Sequence, residues 1–133
     1  MEKTTYAYKT SVNLSFEETI RKVTEELKQE GFGILTEIDV KDTLKRKLDV
    51  DFRKYKILGA CNPPNAYKAL LGEIDIGLML PCNVVVYEGE GDATVVAAVD
   101  PVASMRAVDS IGLEATALEV RMKLQRVIEA MER

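Results

Sequence analysis

Two β-rich runs separated by a short glycine-containing turn constrain the fold of this chain more than any other feature. The runs cover residues 83–88 and 93–100, and Gly89-Glu90-Gly91-Asp92 lies between them. Such a pattern predicts a β-hairpin, in which the two strands are antiparallel neighbours. The chain is therefore expected to build a mainly antiparallel sheet rather than a doubly wound parallel one.

Three further segments alternate at a period of two and are predicted to be strands. They cover residues 4–12, 32–40 and 55–61. In the last of these, Tyr55, Ile57, Gly59 and Cys61 share one face, which is the pattern of a regular strand. Together with the hairpin, these segments predict a sheet of about five strands.

Helical patterns lie between and after these strands. Ser15 and Glu18 form a capping box that starts a helix, and Gly31 provides the left-handed residue that ends it. Shorter helices are predicted from Val40 to Leu48, from Asn62 onward, and from Pro101 through Arg106.

The last helix begins near Glu114 and carries an apolar stripe with alternating spacings of four and three. The stripe consists of Leu113, Ala117, Val120, Leu124, Val127 and Met131, widened by Leu118 and Ile128. This stripe is too short for a coiled coil, so packing on the sheet is expected. The sequence as a whole predicts one α+β domain over residues 1–133, with the helices on one face of the sheet.

The charge balance bears on the partners of the chain. The net charge of -4 disfavours a dedicated nucleic-acid binder, which needs a positive field. The basic residues between Lys41 and Lys56 alternate with aspartates, so an ion-paired, solvated face is predicted there. The apolar runs are too short to span a bilayer, and residues 1–5 do not resemble a secretion signal, so no membrane partner and a cytoplasmic location are expected.

Scarce residue types narrow the chemistry. The chain contains no His and only two Cys, so every mechanism that needs an imidazole is excluded. The two thiols occur in Cys61-Asn62-Pro63 and Pro81-Cys82-Asn83, each at a junction between predicted elements. A thiol beside a helix start faces unpaired amides and the positive end of the helix dipole, which favours the thiolate form of Cys61. If the two strands are neighbours, both sulfurs converge on one place.

The candidate ligand-binding residues are therefore Cys61, Asn62, Pro63, Cys82 and Asn83. The alternative interpretation is that both cysteines are small core residues, because unpaired Cys is often buried. Two thiolates could also hold Cu(I), with a thioether from Met79 or Met105. A structural zinc site is disfavoured because no further ligands of the usual kind are present.

The apolar segment from Ile74 to Leu80 follows neither period cleanly and is interrupted by Gly77. It could be buried core, a flap over a pocket, or a subunit interface. In a purely structural protein, this segment or the last helix would form the interface of a homodimer.

The two cysteine motifs carry a resemblance to a known family. The runs 57–63 and 77–88, with Thr36–Val40 and Asp100-Pro101, resemble domain-of-unknown-function family 302 over nearly the whole chain. The resemblance implies an α+β fold of the TATA-binding-protein type. Its elements follow one another along the chain in the order β-α-β-β-β-β-α, with extra short helices. The resemblance does not indicate which activity or cofactor the protein has. A fold named after a DNA-binding protein does not by itself indicate DNA binding.

Three functions therefore remain open. The first is a small ligand-binding or interaction module with a thiol site at Cys61 and Cys82. The second is a thiol-dependent redox enzyme or a soft-metal handling protein that uses the same residues. The third is a purely structural homodimeric module.

Overall fold

A computed structural model describes residues 1–108, 110 and 112–133 as a six-stranded antiparallel sheet with helices packed on one face. The strands are β1 (Glu2–Lys3), β2 (Ala7–Val12), β3 (Gly33–Asp39), β4 (Tyr55–Cys61), β5 (Cys82–Glu88) and β6 (Thr94–Val99). The helices are α1 (Phe16–Gln29), α2 (Val40–Leu48), α3 (Pro63–Gly72), a 3₁₀ helix (Ile74–Met79), α4 (Pro101–Ser104) and α5 (Leu113–Met131). The spatial order of the strands is β1-β2-β6-β5-β4-β3.

The predicted α+β class is confirmed, and the strand count is corrected from about five to six. The segment predicted as one strand over residues 4–12 starts only at Ala7, because a turn interrupts it. In that turn the Thr4 amide donates to the Ala7 carbonyl at 2.8 Å. The chain reverses there, so Glu2 and Lys3 pair with Lys9 and Tyr8 as an additional antiparallel strand.

The main core lies between the sheet and the helices α1 and α5. Alternate residues of the strands, such as Tyr8, Leu58 and Val84, point to this side and are fully buried. Every predicted stripe residue of α5 is buried, as is Ile128, which confirms packing on the sheet. Leu118 was expected to widen the stripe but is 47% exposed, because its position on the helix turns away from the sheet.

β3 is an edge strand, and its exposure differs from the sequence expectation. Its alternating apolar residues predict a half-buried face, yet Leu35 and Ile38 are both exposed. Among the described strands, β3 pairs only with β4, and the register shifts between Ile34 and Thr36. A strand at an edge with a bulge has few neighbours to cover its side chains.

The segment from Ile74 to Leu80 combines an anchor with an exposed surface. Ile76 is buried and packs with Ala69 and Leu113 in a second, smaller core cluster beside α5. Ile74 and Leu78 lie on the same 3₁₀ helix but are 77% and 85% exposed. The segment thus closes one end of the fold through a single buried residue.

The basic segment is ion-paired as predicted. Lys45 contacts Asp49 and Asp51, and Arg46 contacts Asp42, all at the surface. Among the described residues, no helix has the length and apolarity needed to cross a membrane.

Candidate functional site

A cavity at one end of the sheet brings the two cysteine motifs together. It has a volume of about 30 Å³ and lies where β4 ends and β5 begins, between α3, α5 and the residues after α4. Cys61, Cys82 and Met105 all line it, and so do Asn62 and Asn65. None of the lining residues is charged.

The register of the sheet brings the two cysteines to neighbouring positions. Ala60 of β4 pairs with Cys82 of β5, so Cys61 is one residue beyond the partner of Cys82. Neither cysteine is in a disulfide. Cys82 is buried and Cys61 is half-buried. Burial raises the pKa of the Cys82 thiol to about 11, and the nearby Cys61 adds to the rise, so Cys82 is a protonated thiol at neutral pH.

The start of α3 does not offer the unpaired amides that the sequence suggested. Pro63 and Pro64 have no N–H group, and the Asn65 amide donates to Asn62 Oδ1 at 3.4 Å. The Ala66 amide donates to the Asn62 carbonyl at 2.9 Å. The expectation that Cys61 faces free amides is therefore wrong, because prolines and a cap occupy the whole first turn.

Asn62 joins α3 to the end of α1 and orients its neighbour. Its Nδ2 donates to the Glu30 carbonyl at 3.2 Å, and its Oδ1 accepts from Asn65 Nδ2 at 3.0 Å. Because a carbonyl can only accept, the Asn62 amino group must face Glu30. The Asn62 oxygen must then face Asn65, which must present its own amino group in return.

This chain of hydrogen bonds leaves one acceptor without a partner. Asn65 is only 4% exposed, and its Oδ1 is buried with no hydrogen-bond partner. Most buried polar atoms in proteins are paired, so this oxygen, in a residue that lines the cavity, is an acceptor available for a hydrogen bond. Sequence reasoning did not identify Asn65 as a candidate. The pattern that could have identified it is its position in the first turn of a helix that Asn62 caps.

The candidate residues from the sequence fall into two groups. Cys61, Asn62 and Cys82 line the cavity, whereas Pro63 and Asn83 are exposed and do not. Of the two methionines considered as soft ligands, Met105 lines the cavity and Met79 does not. Among the described residues, no group of three or more Cys, Asp or Glu side chains is arranged to hold a metal ion.

Comparison with known proteins supports the family and leaves the activity open. The family model "Domain of unknown function DUF302" matches residues 8–131. The chain is similar to the crystal structure of an uncharacterized conserved DUF302 protein from Bacillus stearothermophilus, with 29% sequence identity and a TM-score of 0.88. That similarity covers 96% of this chain and 99% of the other. No curated protein matches. The chain therefore belongs to the DUF302 family.

Proposed function

We propose that this protein is a binding module for a small uncharged ligand, held in the cavity beside Cys61 and Cys82. The observation that carries the proposal is the buried, unpartnered Oδ1 of Asn65. Leaving such an atom unpaired costs about 1–3 kcal/mol, and a ligand that donates a hydrogen bond to it recovers that free energy. The rigid pairing of Asn65 with Asn62 holds the acceptor in place before the ligand arrives.

The cavity limits what the ligand can be. Its lining carries no charge, and Cys82 is protonated at neutral pH, so a charged group would be buried without a counter-ion. A space of about 30 Å³ holds only a few heavy atoms. We therefore propose a neutral ligand, or the neutral tip of a larger one, with one hydrogen-bond donor and an apolar body beside the sulfur atoms.

A pair of small probes of equal size tests this proposal. Ethanol carries an O–H donor, whereas acetonitrile has the same number of heavy atoms and only an acceptor. In NMR titrations of the wild type, ethanol should saturably shift the side-chain amide of Asn65 and the backbone amides of Cys61 and Cys82. Acetonitrile should shift them less, because it cannot donate to Asn65 Oδ1.

Two matched asparagine variants provide the control. Asn65→Leu keeps the number of side-chain heavy atoms but removes the acceptor, and should abolish the difference between the probes. Asn83→Leu changes an exposed asparagine next to Cys82 that does not line the cavity, and should leave the difference intact. Equal responses of the wild type to both probes would overturn the assignment of the acceptor. No saturable response to either would overturn the binding proposal.

One observation favours soft-metal binding as a second candidate function. Met105 lines the same cavity as Cys61 and Cys82, so three sulfur-containing residues border one small space. Thiolates and thioethers together select Cu(I) over harder ions. Metal binding must displace the proton from Cys82, so the affinity should rise with pH.

Competition with the chromophoric chelator bicinchoninate separates this candidate from the first. If Cu(I) binds, Cys82→Ser and Met105→Leu should each weaken binding, and Asn65→Leu should not. A wild-type protein that takes no Cu(I) from the chelator at any pH rules the metal out. A thiol-dependent redox reaction through Cys82 is disfavoured by its raised pKa, because the thiolate is the reactive form.

A further inference from the structure

The face of the sheet opposite α1 and α5, here called the outer face, is apolar along three adjacent strands, β4, β5 and β6, with the exposed Asn83 at one end of β5. In β4, β5 and β6 it carries Tyr55, Ile57, Val85, Tyr87, Val95 and Ala97, all half-buried. Residues that alternate with them, such as Leu58, Val86 and Val96, point into the main core. The central parts of these strands are therefore apolar on both sides.

That pattern differs from an ordinary solvated sheet. An antiparallel sheet with one face in water alternates apolar and polar residues, whereas strands apolar on both sides are typical of sheets covered on both faces. In the part of the chain that the structure describes, the helices cover one face of the sheet only. α2 contacts β3 and β4 but buries none of its residues, so it does not form a second layer.

The side chains of the outer face form continuous rows. Ile57 pairs with Val85, and Val85 with Ala97, so these three lie side by side across the sheet. Tyr55 and Tyr87 pair in the next row, and their rings stack with centroids 5.3 Å apart. Burial and the neighbouring tyrosine Tyr87 raise the pKa of Tyr55, which fits a surface that is already partly shielded from water. Large aromatic side chains of this kind are enriched at protein interfaces.

We propose that the outer face is the interface of a homodimer, in which two sheets pack face to face. In a two-fold dimer each patch meets a copy of itself, so charges near the axis would repel. The outer-face positions of β4, β5 and β6 carry no charged residue, and the charged Lys9 and polar Ser11 lie in β2 at the rim. An apolar centre with a polar rim is the usual anatomy of a protein interface.

The size of the face fits a second copy of this chain. The apolar centre and its rim together comprise the five strands β2 to β6, which have about six residues each and, at a spacing of about 4.8 Å and a rise of about 3.4 Å, cover about 500 Å². Two copies would bury about 1,000 Å² in total, which is at the lower limit for a specific interface. We therefore expect a dimer that dissociates on dilution. None of the six apolar outer-face residues named above lines the cavity, so the interface and the ligand site can be tested separately.

Analytical ultracentrifugation over about a hundredfold range of concentration tests the proposal. The wild type should approach twice its chain mass of 14.8 kDa at high concentration. Val85→Glu places a charge at the centre of the face and should raise the dimer dissociation constant at least about 100-fold, with an unchanged circular dichroism spectrum. Leu78→Glu is the matched control, because Leu78 is exposed on the 3₁₀ helix, and it should dimerise like the wild type.

The other outcomes are equally decisive. A wild type that stays monomeric throughout overturns the proposal, and so does a Leu78→Glu protein that is monomeric while Val85→Glu still dimerises. Should Val85→Glu fail to fold, nitration of the wild type by tetranitromethane needs no substitution. Tyr87 should become protected as concentration rises while Tyr67, which is 65% exposed on α3, stays reactive. Equal reactivity of Tyr87 at all concentrations contradicts the interface.

Discussion

Replacing Asn62 by Ala should destabilise the protein more than its place at a helix start suggests. The side chain is 8% exposed and takes part in hydrogen bonds with Glu30 at the end of α1 and with Asn65 in α3. The substitution therefore removes a helix cap, a bridge between two helices and the partner of a buried amide at once.

The magnitude follows from these contacts. Loss of the cap costs about 0.5–1 kcal/mol, at the low end because the bond to the Asn65 amide is long at 3.4 Å. The buried Nδ2 of Asn65 loses its acceptor, which costs about 1–2 kcal/mol. Glu30 is half-buried, so its carbonyl can be rehydrated and adds about 0.5 kcal/mol. The free energy of unfolding should therefore fall by about 3 kcal/mol.

Urea denaturation followed by circular dichroism measures this loss. The dependence of the unfolding free energy on urea concentration should stay unchanged if only native contacts are lost. Asn83→Ala is the control, because Asn83 is exposed, and it should change the free energy by less than about 0.5 kcal/mol. Asn62→Asp keeps an acceptor for Asn65 but turns an oxygen toward the Glu30 carbonyl, so it should also destabilise. A loss below about 1 kcal/mol for Asn62→Ala would refute the role of Asn62 as a bridge.

Three further predictions concern the site and the core. The pKa of Cys82 in the folded protein is about 11, above its ordinary value of 9.0. The protonated thiol therefore stabilises the folded state below pH 9, and this stabilisation is lost as the pH rises toward 11. The stability difference between wild type and Cys82→Ala should narrow by about 2 kcal/mol over that range in urea titrations, and a constant difference would contradict the raised pKa. In thermal melts, Gly31→Ala should lower the free energy of unfolding by about 1–2 kcal/mol, because Gly31 has φ of 86° and a Cβ there would lie 3.0 Å from Asn62 Nδ2. Gly72→Ala, at the end of α3 where a Cβ meets open space, should cause no loss of stability in the same experiment. Leu124→Ala should cost about 3–4 kcal/mol because its side chain is fully buried, whereas Leu118→Ala, which is 47% exposed, should cost less than about 1 kcal/mol by urea denaturation.

The elements that sequence reasoning located best are those whose signals are local. The bounds of β4 are the same in sequence and structure, because strict alternation ends where Asn62 and Pro63 start a helix. The cap at Ser15 is also confirmed, since its Oγ accepts from the Glu18 amide at 3.1 Å. Capping and periodicity act over a few residues, so they can be read without knowing what surrounds the segment.

Exposure was harder to predict than secondary structure. Leu118 and Ile38 fit the apolar patterns of their elements, yet both are exposed. Whether an apolar side chain is buried depends on what lies opposite it, and that neighbour comes from a distant part of the chain. Within the described residues, Ile38 on the edge strand β3 and Leu118 on the side of α5 that faces away from the sheet have no such neighbour.

The sequence alone determined the α+β class, the hairpin and the position of both cysteines at junctions between elements, because these depend on local spacing. Only the tertiary structure decided that Cys61 and Cys82 border one cavity, since that follows from the pairing of Ala60 with Cys82. It also decided that the start of α3 has no free amide, and that the oxygen of Asn65 lacks a partner. Hydrogen-bond satisfaction is a property of the surroundings of an atom, and those surroundings exist only after distant segments have packed together.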